Sequence, residues 1–179
     1  MKADAKKCLL LFISVLLVVP IANGCASSPG GITPATQLKE GVKLTNFSNL
    51  SLEVKSGDDV SMTPTERERI MNLTIGKIKK DEHSRFKEIN SPTSSPSTLH
   101  VSINVTRYER SKVVVGLAQF QIDGQVVLED REKQEAVAKY EVTKASTFEG
   151  ILGGVTKIED VEEGFANAIA ALLLGKEEK

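Results

Sequence analysis

The chain has 179 residues, two cysteines and a formal net charge of −1 at pH 7. This length suits one domain of ordinary size. A charge so close to neutral excludes a general nucleic-acid binder, because such proteins need a basic face to neutralise phosphates. We therefore expect no nucleic-acid partner.

The first 25 residues have the three-part layout of a bacterial export signal. Three lysines precede an apolar run from Cys8 to Val19, and small or turn-forming residues then lead to Cys25. The ending Ala-Asn-Gly-Cys resembles a lipobox, in which the cysteine sulfur receives a lipid and a peptidase cuts just before it. The pattern predicts a lipoprotein signal peptide over residues 1–24 and lipid attachment at Cys25.

Cysteine usage agrees with this interpretation, since Cys25 would be the only cysteine of the mature chain and could form no internal disulfide. A free thiol at that position would be reactive in an oxidising envelope. Two alternatives stay open. One is a transmembrane anchor, although the apolar run is shorter than the ~20 residues of a spanning helix and is interrupted at Pro20. The other is an ordinary secretory signal that is cut elsewhere.

Residues 25–40 are rich in serine, proline, glycine and threonine, which predicts a flexible tether after the lipidated cysteine. Residues 41–179 are predicted to form a single α/β domain. Its first element is a strand between Val42 and Val54, in which apolar and polar residues alternate around an irregularity at residues 46–49.

A helix follows, and its start is specified by the sequence Thr63-Pro64-Thr65-Glu66. Threonine and glutamate three residues apart form a capping box, and proline is favoured at the first helical position. We expect this helix to end near Glu82. A short extended piece from Arg85 to Ile89 and a low-complexity loop over residues 91–98 come next.

Three strands with a period of two follow the loop. The first begins at Leu99 and is expected to turn at residues 109–112. The second is expected to run straight from Leu117 to Glu129, because a turn at Asp123-Gly124 would break the phase of its apolar residues; Gly124 is then a bulge or a point of close approach. After a turn at residues 130–133, a last strand spans residues 136–142.

The chain closes with an apolar, glycine-rich loop at residues 148–155 and a helix. Thr156 to Glu159 predict a capping box, and Gly175 is in the stop position. In the loop, Phe148, Ile151 and Leu152 are candidate contacts for a partner or a lipid surface. The alternative is that they close over the sheet edge and fix the last helix.

These elements predict an α+β two-layer sandwich, with a mainly antiparallel sheet of four to five strands and two amphipathic helices on one face. The other face is expected to be polar, and either solvated or used for docking. It would carry His100, Ser102, Asn104, Thr106, Gln119, Gln121, Asp123 and Gln125.

Two segments, AQFQIDGQVVLEDREKQEAVAKYEVTKAST and GGVTKIEDVEEGFANAIAALL, resemble the C-terminal half of a bacterial lipoprotein family catalogued as domain of unknown function 4410. The resemblance covers about the last third of the chain, together with the lipobox. It implies an α/β sandwich that faces the periplasm on a lipid tether and, by analogy only, a role in envelope assembly or transport. The family has no assigned catalytic residues to carry over.

No catalytic, phosphate-binding or metal-binding motif occurs in the sequence, and neither His83 nor His100 has ligands at metal-site spacing. The acidic run at residues 129–135 is interpreted as a solvated turn, and the run at residues 159–163 as the polar first turn of a helix, where carboxylates complement the dipole. We therefore expect no enzyme activity, cofactor or metal. Alanine after Cys25 favours sorting to the outer membrane over retention in the inner one.

The favoured function is an outer-membrane lipoprotein that faces the periplasm, binds an envelope protein and is attached to the membrane through lipid on Cys25. A carrier of lipid or a small ligand in the cleft between helices and sheet is the alternative function. A hydrolase is the third hypothesis.

Overall fold

A computed structural model describes residues 31–90, 95, 97–114, 117–148 and 157–176. Six strands form one sheet in the order β1-β6-β5-β4-β2-β3. They are β1 (Ile32–Thr36), β2 (Asn49–Ser56), β3 (Glu88–Ile89), β4 (Thr98–Val114), β5 (Leu117–Asp130) and β6 (Glu135–Phe148). Two helices, α1 (Pro64–Lys80) and α2 (Ile158–Leu174), and a 3-10 turn (Leu44–Asn46) complete the described elements.

The sheet is mixed rather than mainly antiparallel. β4, β5 and β6 pair antiparallel as predicted, and β1 is antiparallel to β6. β2, however, runs parallel to both β3 and β4. The helix α1 connects β2 to the later strands, and such a crossover returns the chain in the same direction. The prediction of four to five mainly antiparallel strands is therefore corrected to six strands in a mixed sheet.

The alternation of apolar residues gives the sheet one buried face. Leu99, Val101, Ile103 and Val105 of β4 are fully buried, as are Ile122, Val126 and Leu128 of β5. β5 runs without a break through Gly124, so the prediction of one long strand is confirmed. A shift in register between Leu128 and Glu129 changes the phase in β6, where Val137 is buried beside Ala138.

Both helices cover this buried face, as predicted. α1 begins with the predicted capping box, in which the Thr63 N–H donates to Glu66 (2.7 Å) and the Glu66 N–H donates to the Thr63 hydroxyl (3.3 Å). α2 ends at Gly175, whose φ of 70° is the left-handed conformation that glycine adopts at low cost. The helix residues of the core are Ile70, Ile75, Ile78, Val161, Phe165, Ala166, Ala168, Ile169, Ala170 and Leu173.

Several predicted boundaries were wrong. The first long strand begins at Asn49 rather than Val42, and the last strand continues to Phe148 rather than ending at residue 142. β1 lies inside the range predicted as a tether, because an edge strand tolerates Pro34 and needs few large apolar residues. The predicted turn at residues 109–112 is strand, because a register shift there keeps the polar run in β4. α2 is capped by Asp160, which accepts from the Lys157 N–H (2.9 Å), one residue later than predicted.

Candidate functional site

The sheet face opposite the helices is the candidate functional surface, and we call it the outer face. It is formed by the residues that alternate with the core in β2, β4, β5 and β6. No helix in the described part of the chain lies over it. Most of its side chains are half-buried or exposed, which confirms a polar face for the predicted positions that can be described. Gln119 is excepted, since its side chain lies outside the described residues.

His100 differs from its predicted neighbours because it is almost completely buried, at 5% exposure. Parallel pairing places Ser51 and Glu53 of β2 beside it. The His100 Nδ1 lies 3.2 Å from the Ser51 hydroxyl, and Nε2 lies 3.1 Å from Glu53 Oε1. Lys55 forms an ion pair with the same carboxylate at 2.6 Å. Burial opposes ionisation of Glu53, but its bonds to Lys55 and His100 outweigh this and lower its pKa.

Serine, histidine and glutamate in contact are the residue types of a hydrolase triad, yet the geometry does not support that chemistry. Backbone N–H groups of a sheet lie in its plane, at right angles to side chains such as Ser51. They cannot be aimed at an oxyanion above that hydroxyl, as acyl transfer requires. The cluster therefore connects β2 to β4.

A shallow groove of about 270 Å³ crosses the outer face over β4, β5 and β6. Its polar lining residues are Thr106, Asp123, Gln125, Glu141 and Thr143. Asp123 is held in place by the Gln121 amide, which donates to both carboxylate oxygens at 3.0 and 2.9 Å. Arg107 lies 3.6 Å from the same carboxylate. The groove thus combines hydroxyl, amide and carboxylate groups on strands, which suits polar recognition of a protein surface.

A second polar cluster lies between the two layers and was missed by sequence reasoning. Glu162 of α2 is fully buried, and its Oε1 accepts from the Tyr108 hydroxyl at 2.7 Å. Arg69 of α1 forms an ion pair with its other oxygen at 2.6 Å. Glu66 lies 3.2 Å from the same hydroxyl and pairs with Arg110 at 2.9 Å.

The environment of these carboxyl groups shifts their pKa values in opposite directions. Burial raises the pKa of Glu162, although Tyr108 and Arg69 favour its charged form. Burial also raises the pKa of Tyr108, and the nearby Glu162 adds to the shift. Burial opposes ionisation of Glu66 too, but hydrogen bonds from Thr63 and Arg110 outweigh it and lower its pKa to about 2.

Residues 159–163 were interpreted as the polar first turn of a helix, and the burial of Glu162 was missed. The signal was present in the sequence, because Glu162 lies four residues after Ile158 and three before Phe165, on the apolar stripe. The burial of Tyr108 was not predicted, because a turn was expected directly after it at residues 109–112. The cluster connects α1, α2 and β4 by buried, charge-assisted hydrogen bonds, and its position between the layers makes it a structural element.

The predicted site residues lie almost entirely outside the described part of the chain. Cys25, Ile151 and Leu152 lie outside the described residues. Phe148 is the last residue of β6, and only its backbone is described.

Metal-binding clusters and membrane-spanning helices are both absent from the described residues. Residues 31–90, 95, 97–114, 117–148 and 157–176 contain no group of three or more residues that could hold a metal ion. Among the helices within those ranges, none is long and apolar enough to cross a membrane.

Comparison of the folds identifies similar solved structures. A PelC dodecamer from Paraburkholderia phytofirmans has 10% sequence identity to this chain and a TM-score of 0.55, over 83% of this chain and 99% of the other. A protein from Xanthomonas campestris, matched to domain of unknown function 330, has 14% identity and a TM-score of 0.51, over 80% and 88%. A minor lipoprotein from Acinetobacter baumannii has 13% identity and a TM-score of 0.46, over 72% and 92%, which is too distant to support an argument.

No protein-family model matches the chain, and no curated protein sequence matches it. Identities of 10–14% show a shared fold and not a shared activity. Membership of the family of unknown function 4410 is not shown and stays a prediction. The chain therefore has the α+β fold found in PelC and in the Xanthomonas protein.

Proposed function

We propose that this protein is a bacterial envelope lipoprotein that docks another envelope protein on the outer face of its sheet and catalyses no reaction. The lipid on Cys25 holds it at the outer membrane, facing the periplasm. The outer face carries the proposal, because it is a broad polar surface on strands that no described helix covers. Surfaces of this kind recognise partners through many small polar contacts.

The electrostatics of the outer face favour a protein partner of mixed charge. Acidic Asp123 and Glu141 line the groove, whereas Lys55 and Arg107 lie on neighbouring strands. Such interspersed charges suit a complementary polar surface and give specificity. Since PelC is described as a dodecamer, a second copy of this chain is one candidate for the partner.

A ligand carrier is supported less well, because it requires an apolar cavity between helices and sheet. Phe165, Leu99 and Ile169 are fully buried at this interface. The ring of Phe165 lies so close to Gly124 that an added Cβ would be 2.8 Å from it. The interface around these residues is filled by side chains.

Site-specific photo-crosslinking in living cells tests the docking surface. A photoreactive residue replaces Glu141, an exposed residue of the groove, and the matched control replaces Asn72, an exposed residue of α1. We expect one discrete adduct from position 141 and none from position 72. Equal adducts from both positions, or none from position 141, would contradict docking on the outer face.

The anchor is tested by Cys25→Ser. This variant should lose the acyl mass on its N-terminal peptide and leave the membrane fraction. Unchanged fractionation together with an unmodified wild-type cysteine would refute lipid attachment at this residue.

A further inference from the structure

At one end of the sheet, three strands extend far past the ends of the other strands. β2 ends at Ser56, which pairs with Val105 of β4, and β1 begins at Ile32, which pairs with Val142 of β6. Among the described residues, β4, β5 and β6 alone continue beyond this level. We call their extensions the distal ribbon, and they comprise residues 106–114, 117–123 and 143–148.

The distal ribbon reaches well past the level at which β1 begins. Val142 pairs with Gly124 of β5, and Leu117 at the end of the ribbon is seven residues away from Gly124. At the rise of an antiparallel strand, this distance is about 24 Å.

The residues at the end of the ribbon break the polar–apolar alternation of the rest of β4 and β5. Val113 pairs with Ala118, and Val114 pairs with Leu117. Successive positions of a strand belong to opposite faces, so two consecutive apolar pairs make both faces of the hairpin apolar in composition. A strand pair that served only the core would need apolar residues on one face.

The direction of β1 places Gly31, the first described residue, on the same side as the distal ribbon. β1 is antiparallel to β6, which is antiparallel to β5, so β1 and β5 run in the same direction. The residues before Ile32 therefore enter from the side of the distal ribbon. The Gly31 carbonyl confirms this, because it accepts from the Thr143 N–H at 3.0 Å.

The leader between the predicted anchor and the sheet is short. Only residues 26–31 separate Cys25 from Ile32. Fully extended, this stretch spans at most about 24 Å. A bilayer that held Cys25 would thus lie within the reach of the distal ribbon.

We propose that the end of the distal ribbon, at Val113, Val114, Leu117 and Ala118, contacts the lipid surface that holds the acyl group on Cys25. The proposal rests on the lipid anchor of the proposed function. The free energy of apolar residues falls when they leave water at a bilayer surface. A second point of attachment also strengthens membrane binding through a lipid anchor. With two points of attachment, the domain has a fixed orientation in which the strands stand away from the membrane and the outer face is turned sideways.

The test uses the full lipidated chain in vesicles of phosphatidylethanolamine and phosphatidylglycerol. Val114→Cys and, separately, Leu117→Cys are labelled with an environment-sensitive fluorophore, while acylated Cys25 does not react. Glu132→Cys, in the turn between β5 and β6 at the opposite end of the sheet, is the matched control. We expect blue-shifted emission and quenching by lipids with a spin label in their acyl chains at 114 and 117, and neither effect at 132.

Flotation of the vesicles separates the two hypotheses. A chain that does not float refutes the anchor and the ribbon contact together. If the chain floats but the labels at 114 and 117 report water, as at 132, the ribbon contact alone is refuted. Blue-shifted emission at 114 without lipid quenching would show burial against a second copy and would also overturn the proposal.

Discussion

The ring of Phe165 packs directly against Gly124, so that a methyl group added at position 124 would lie 2.8 Å from Cζ of the ring. The same methyl group would lie 3.3 Å from the Asn104 carbonyl oxygen. Phe165 is fully buried in α2, and Gly124 is in the middle of β5. The absence of a side chain at 124 therefore sets how closely α2 approaches the sheet.

We predict that Gly124→Ala lowers the free energy of unfolding by about 1–3 kcal/mol, because the packed ring and the strand backbone must move apart. Gly76→Ala is the matched control, since a Cβ there meets no atom within 4 Å in the middle of α1. The control should stabilise the protein by up to about 1 kcal/mol. Urea denaturation measures both changes, and a shift of the same sign in both variants would contradict the argument.

A smaller residue at position 165 should relieve the effect of Gly124→Ala. Phe165→Leu alone creates a cavity and destabilises the protein, but in combination with Gly124→Ala the total loss should be smaller than the sum by about 1 kcal/mol or more. A double-mutant cycle measured by denaturation gives this coupling energy. If the losses of unfolding free energy in the two single variants add up to the loss in the double variant, the ring of Phe165 does not restrict the space at position 124.

Glu66 should make stability depend on pH. Its folded pKa of about 2 is below the ordinary value of 4.5, so its stabilising effect is complete above pH 5 and is lost as the pH falls toward 2. We predict that Glu66→Gln costs about 1–2 kcal/mol at pH 7, after allowance for solvent screening, and much less near pH 2. Glu68→Gln, an exposed neighbour on α1, is the control. A cost that is equal at both pH values would argue against the charge as its cause.

Tyr108 is predicted to stabilise the protein through its hydroxyl. Tyr108→Phe removes the donor at 2.7 Å from the fully buried Glu162 carboxylate, which leaves an acceptor short of one partner. The expected loss is about 1–3 kcal/mol. Tyr140→Phe, at a half-buried tyrosine of β6, is the comparison. The midpoint of thermal unfolding is measured for both variants, and it should be lower for Tyr108→Phe. Equal midpoints would exclude a contribution from the Tyr108–Glu162 hydrogen bond.

Local sequence signals were sufficient for most elements of the fold. The capping box at Thr63 gave the start of α1, and the unbroken phase through Gly124 gave β5 as one strand. Both signals act within a few residues. The same is true of Gly175, whose positive φ ends α2.

The features that were missed depend on contacts between distant residues. The parallel pairing of β2 with β4 is set by the path of α1, and no local pattern specifies it. Burial of His100 follows from that pairing, since Ser51 and Glu53 come from β2. Pro34 is compatible with β1 only because this strand is at the edge of the sheet. For the candidate site, sequence reasoning thus predicted a polar outer face but not its internal hydrogen bonds.

The pairing of Ile32 with Val142 joins residues at opposite ends of the chain. β4, β5 and β6 form adjacent hairpins, whereas β1 has no strand to pair with until β6 has been made and folded. Until then, many unpaired residues separate residue 25 from the folded strands. Once β1 pairs with β6, only residues 26–31 separate residue 25 from the sheet. Completion of the sheet therefore determines how far the finished domain can move from residue 25. In a chain truncated before β6, the unpaired segment after residue 25 would be much longer.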